Sequence, residues 1–149
     1  MTAPEQQTSA LDQVLELVYL LDEDMTRALA RDGLTKARAP LVWHLHQRGP
    51  STQKALADAL GTTPRNVTGL VDGLAATGFV TRGPHPTDRR ATLVSLTERG
   101  TTVMTSMAAG YVELAGQLFG GMTSDQLTGF TEGLTSVLGA LRRLVADPA

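Results

Sequence analysis

The chain has 149 residues and a formal net charge of −2, with 42% hydrophobic and 19% charged residues. That is enough apolar material for one packed domain, or two small units sharing a core, and too much for a chain disordered by composition. With no cysteine, a disulfide scaffold, a thiolate nucleophile, a thiol redox sensor and a cysteine zinc site are all excluded. No apolar run approaches the roughly 18–20 residues that span a bilayer. The opening Met-Thr-Ala-Pro-Glu-Gln-Gln lacks the basic and apolar regions of a signal peptide. The expectation is a soluble, cytoplasmic protein with no membrane partner.

The whole-chain charge argues against a nucleic-acid partner, but its distribution does not. Between Lys36 and Arg99 lie nine basic residues against four acidic ones, a balance of +5, together with all three histidines. The flanks carry four basic and eleven acidic residues, a balance of −7. A basic middle between acidic ends points to an anionic partner for one part of the chain, or to chance clustering on solvated faces.

In chain order, Leu11, Val14, Leu15, Val18, Leu21, Met25 and Ala28 recur at spacings of three and four. They predict one long amphipathic helix, capped by Thr8 or Ser9 and stopped by Gly33. Residues 36–47 read as a helix burying Leu41, Val42 and Leu45, with Pro40 tolerable in its first turn. Gly49-Pro50 ends it. Ser51 or Thr52 caps a short helix from Gln53 to Leu60, closed by Gly61. Thr63-Pro64 starts the next helix, a capping hydroxyl followed by proline at the first helical position, and Gly78 ends it after Ala76. Two β segments follow, 79–82 and 92–96, joined by a protruding loop from Gly83 to Ala91. Val103, Met104, Met107, Tyr111, Leu114 and Leu118 then give a helix ending at Gly120-Gly121. A last helix, capped by Thr123 or Ser124, carries Leu127, Phe130, Leu134, Val137, Leu141 and Leu144 in a seam-like alternation. The terminal helices either wrap the middle or pack on a second copy, and the long terminal stripe favours a dimer. The predicted class is mainly α with a small β-wing. The expected division is 1–34, an N-terminal dimerisation helix; 35–99, a winged helix-turn-helix; and 100–149, C-terminal dimerisation helices.

Residues 51–77 carry the function. Ala57 is small where two helices must cross, Gly61 supplies the turn and Val67 anchors the second helix. At about 100° per residue, Val67, Leu70, Val71 and Leu74 share the core face of that helix. Arg65, Gly69, Asp72, Gly73 and Ala76 share the opposite face, flanked by Asn66 and Thr68. A recognition helix reads bases with its first residues. Thr63, Arg65, Asn66, Thr68 and Gly69 are therefore the expected reading surface. Arg65 suits guanine O6 and N7, Asn66 suits adenine N6 and N7, and Gly69 lets the backbone approach. Asp72 is a contrary sign. Beyond the helix, Arg89 and Arg90 at the loop tip suit a minor groove, where negative potential is concentrated. Asp88 is placed to hydrogen-bond two residues on, and Arg82 and His85 sit near enough to meet phosphates. The plain alternative, a solvated turn with a local ion pair, is worth under about 1 kcal/mol and does not require two adjacent arginines.

The run Asp88-Arg89-Arg90-Ala91-Thr92-Leu93-Val94-Ser95-Leu96-Thr97, followed by Glu98-Arg99-Gly100, resembles the wing signature of the MarR (multiple antibiotic resistance regulator) family. Asn66 to Leu74 resembles that family's recognition helix, and the order of elements is similar along the whole chain. The resemblance implies an obligate homodimer on a pseudo-palindromic operator, with Arg90 as minor-groove arginine and Asp88 as its positioner. It also implies that a small ligand changes the affinity for double-stranded DNA. Gly69 and Gly73 depart from the family's pattern, where larger polar residues are common. Family members often hold aromatic or phenolic acids between dimer helices and winged core; Tyr19, Met25, Arg38, Trp43 and His44 are the corresponding lining residues here.

His44 and His46 diverge by about 200° on a helix and cannot share a metal. No Ser/His/Asp set, phosphate loop or paired carboxylates suggest catalysis, so neither an enzyme nor a cofactor is expected. Three classes remain: a ligand-responsive transcriptional regulator, most simply a repressor; a winged helix that binds DNA constitutively; and a winged helix used only for dimerisation or protein interaction. The intact arginine wing weighs against the third.

Overall fold

The computed structural model describes residues 1–147. The chain divides into two compact units, Met1–Ser106 and the segment from Met107 onward.

The first unit opens with α1 (Ala3–Arg31). Its cap lies six residues before Thr8, the earlier of the two expected caps. Thr2 is the N-cap: its hydroxyl accepts the Glu5 N–H at 3.4 Å, and the Glu5 carboxylate accepts the Thr2 N–H at 2.6 Å. These hydrogen bonds, the backbone one foremost, hold the Glu5 carboxyl below the ordinary value. The hydroxyl of Thr8 instead turns back onto the carbonyls of Pro4 and Glu5. Of the predicted stripe, Leu11, Leu15 and Val18 are 56%, 59% and 58% exposed, and only Leu29 of α1 is buried.

A turn at 35–38 leads to α2 (Ala39–Arg48), three residues later than expected because Arg38 is the N-cap and Pro40 occupies the first turn. Then come β1 (Ser51–Thr52), α3 (Gln53–Leu60) and α4 (Pro64–Ala76). Thr52 caps α3 through the Ala55 N–H at 3.1 Å, and Gly61 closes it with φ +64°, the left-handed conformation that glycine adopts without strain. Thr63 caps α4 through the Asn66 N–H at 3.1 Å. Strands β2 (Val80–Pro84) and β3 (Thr92–Leu96) follow, and α5 (Glu98–Phe119) begins. The sheet runs β1-β3-β2, antiparallel throughout, with Val94 opposite both Ser51 and Arg82. β1 was not expected, since two residues offer no alternation to read.

The core of this unit is apolar. Leu41, Val42 and Leu45 from α2, Leu56 and Ala57 from α3, and Val67, Val71 and Leu74 from α4 are buried against Phe79, Val80 and Val94. Leu29, Leu34 and Met104 complete it. Arg99, counted in the basic middle, serves the fold. Its guanidinium donates to the Thr77 carbonyl at the end of α4 and lies 4.7 Å from the Phe79 ring centre. Gly100 is buried so close to the Phe79 backbone that a side chain there would strike its carbonyl oxygen.

In the second unit, the remainder of α5 is followed by α6 (Ser124–Ala146). Thr123 and Gln126 form a capping box, with bonds of 2.9 and 3.2 Å, and Phe119 meets Phe130 with ring centres 5.6 Å apart. No residue of α6 is buried, and Leu141 and Leu144 are 54% and 71% exposed.

Candidate nucleic-acid interface

The exposed start of α4 is a shallow depression lined by Thr63, Arg65, Asn66, Gly69 and Leu70. Four of these five are residues expected to read DNA. Nothing stands within 4 Å of where a Gly69 side chain would begin, so the helix backbone is accessible there. Among the described residues, no hydrogen bond or ion pair involves the guanidinium of Arg65. Asn66 is partly engaged: its amide nitrogen donates to the Thr62 hydroxyl at 2.9 Å, leaving its oxygen to accept. Thr68 is more fully engaged. Its hydroxyl donates to the Pro64 carbonyl at 3.0 Å and accepts from Gln53 at 3.1 Å.

Gln53 escaped the sequence reading. It stands at the first position of α3 and ties that end to α4 across fifteen residues. Its place just after the capping Thr52 was the available signal.

Arg82 on β2 reaches α4, where it donates to the Asp72 carboxylate at 2.5 Å and to the Thr68 carbonyl at 3.4 Å. This resolves the contrary sign that Asp72 presented. The carboxylate is neutralised by a strand residue, and the pair fastens wing to recognition helix. Arg82 thereby fixes the strand against the helix.

The loop from His85 to Ala91 is ordered by its own side chains. The His85 Nδ1 accepts the N–H groups of Thr87 and Asp88 at 3.2 and 3.0 Å, so the ring proton sits on Nε2. The Asp88 carboxylate accepts the Arg90 N–H at 3.0 Å. Asp88 thus acts two residues on, as expected, through the backbone of Arg90 rather than its guanidinium. Arg89 and Arg90 are exposed, and no side-chain bond holds either among the described residues.

The expected ligand residues are not drawn together by any hydrogen bond or ring contact among the described residues. Tyr19 and Met25 are 68% and 50% exposed on α1. Trp43 is half-buried with its ring 5.8 Å from that of His46, and His44 is half-buried beside it. Arg38 lies elsewhere, with its guanidinium against Gly73 of α4.

The MarR family model matches residues 34–92, the segment from just after α1 to the first residue of β3. Over 104 residues the chain is 29% identical to YhbI, an HTH-type transcriptional regulator of Bacillus subtilis, covering 70% of this chain and 65% of that one. It is 34% identical over 74 residues to the HTH-type transcriptional repressor NicR of Pseudomonas putida, covering 50% and 47%. The matches thus span about two thirds and half of those relatives' own lengths. Among solved structures, FabT of Streptococcus pneumoniae in complex with DNA superposes with a TM-score of 0.75 at 18% identity, over 94% of this chain and 98% of that one. The winged helix-turn-helix segment, residues 34–92, thus matches the MarR family, and over longer stretches the chain is similar to HTH-type transcriptional regulators.

Proposed function

We propose that this chain is a sequence-specific DNA-binding transcriptional repressor that acts as a homodimer on a pseudo-palindromic operator in the cytoplasm. One observation carries the reading. Arg65 at the start of α4 and Arg89 and Arg90 at the wing tip are exposed guanidiniums without partners among the described residues, on a family helix-turn-helix whose backbone is otherwise fixed. In this reading the first turn of α4 enters the major groove, and Arg65 takes guanine O6 and N7. Asn66 contributes its free amide oxygen. Arg90, held by Asp88, enters the flanking minor groove. Arg82, Arg89 and the Nε2 of His85 face phosphates.

The uncovered apolar stripes of α1 and α6 support the homodimer, since such faces are rarely left to water in a monomer. Repression follows from occupancy of the operator, and NicR, a relative by sequence, is itself named a repressor. A small aromatic or phenolic acid lowers DNA affinity, with Tyr19, Met25, Trp43 and His44 contributing to its site.

Duplexes recovered by selection from a randomised pool test the DNA reading. The expected result is a dimer bound to a two-fold related sequence, with log affinity falling steeply against log salt at about −0.9 per phosphate contact. No enriched sequence, or an affinity indifferent to salt, overturns it. A thermal-shift screen of phenolic acids tests the effector. A compound that raises the melting temperature and releases DNA is expected, and a wholly inert panel removes the effector from the reading.

A further inference from the structure

We propose that Arg38 is a phosphate-binding residue that uses Gly73 of the recognition helix as its seat; the proposal rests on the DNA-binding reading above. A side-chain carbon placed on Gly73 would collide with Nη2, Cζ and Nε of Arg38. The guanidinium therefore lies on the helix where a side chain is missing. Its backbone is fixed at the start of α2: the Arg38 N–H donates to the Thr35 hydroxyl at 3.2 Å and the Thr35 carbonyl at 3.1 Å. Nothing comparable occupies its donors. Among the described residues, no hydrogen bond or ion pair involves the guanidinium, although the residue is half-buried. A half-buried guanidinium that rests one edge on a bare helix backbone and has no hydrogen-bond partner is an anion-binding end.

Position selects the anion. Taking Gly69 as the middle of the exposed face of α4, Gly73 lies about 40° to one side, and Asp72 and Thr68 lie about 60° and 100° to the other. Arg82 bonds Asp72 and Thr68 on that second flank. Two arginines from outside the helix therefore bracket its second half. A helix in the major groove has a phosphate strand on each flank. Gly73 also stands eight residues beyond Arg65, on the order of 12 Å along the axis, which is about the width of the groove. The first turn of α4 reaches the base edges while the second half rises to the rim, where the backbone runs. The absence of a larger polar residue at position 73 is then a specific accommodation, with Arg38 supplying the cation from another element.

The test uses the full chain and a 30-bp duplex recovered by selection, with anisotropy measured from 50 to 200 mM KCl. Arg38→Gln is expected to weaken binding several-fold on every duplex alike and to reduce the salt slope by about 0.9 per protomer. Arg38→Lys restores the slope. Gly73→Ala displaces the guanidinium and reproduces the Gln variant, with the melting temperature reporting that each protein is folded. Unchanged affinity and slope in Arg38→Gln, with the wild type binding normally, overturns this proposal and leaves the DNA reading intact. A lowered melting temperature with an unchanged slope makes Arg38 a cation at the helix end and also overturns it. A wild type that selects no duplex overturns both.

Discussion

The winged core and the terminal helices use the same amphipathic signal for opposite ends. In the core, the apolar residues of α2, α3 and α4 are sealed within one unit, with Leu41, Val42, Leu56, Val67, Val71 and Leu74 wholly inaccessible. On α1 and α6, stripes of equal regularity remain open to solvent. Periodicity therefore reports that a face is to be covered, but not by what. Leu56 is fully enclosed within its unit, whereas Leu15 is 59% exposed.

Substitutions on the two sides test that contrast. The largest effect is expected at Leu56→Ala, which leaves a cavity in a fully closed core and costs about 2–5 kcal/mol in urea unfolding, independent of protein concentration. Leu15→Asp should behave differently. Its cost appears as weaker association, at least about tenfold or roughly 1.4 kcal/mol by sedimentation, and its melting temperature varies with concentration. A concentration-independent loss at Leu15 equal to that at Leu56 would collapse the distinction.

Next comes Thr63→Ala, which removes the cap of α4 and should cost about 1 kcal/mol of stability. Because Thr63 orients the first turn, DNA affinity falls with it, while dimerisation measured by light scattering does not. Arg82→Ala breaks an ion pair whose side chains are 32% and 62% exposed, so only about 0.2–1 kcal/mol of stability is at stake, shrinking in high salt. Its effect on DNA binding should exceed its effect on melting. The smallest effect concerns the start of α1. The Glu5 carboxyl is held below its ordinary value, so the capping box contributes fully above that ordinary value and is lost as pH falls through the lowered one. Amide exchange over the first turn should accelerate in acid, and Glu5→Gln should flatten that dependence.

Much of the winged core was legible because its punctuation is local. Thr63-Pro64 and Gly78 bound α4 within a residue, and Thr52 and Gly61 did the same for α3. The start of α1 was misplaced for an instructive reason. Apolar spacing begins at Leu11, so it locates the stripe rather than the helix, while the cap pair Thr2 and Glu5 lies in a polar stretch that no periodicity marks. The start of α4 and the wing tip were readable as chemistry. The joins between elements were not. Gln53 to Thr68, Arg82 to Asp72 and Arg38 against Gly73 link residues that become neighbours only when the helices and strands are packed.

The wing tip has an energetic consequence for any partner it meets. Fixing a backbone residue costs about 1–2 kcal/mol in conformational entropy. From His85 to Ala91 much of that ordering is complete before encounter, through the imidazole acceptor, the Asp88 carboxylate and the turn between Asp88 and Ala91. What docking must still immobilise is the side chains of Arg89 and Arg90, about 2 kcal/mol of rotamer freedom each. A loop built in this way should gain affinity through slow dissociation of an already shaped contact rather than by folding onto its target.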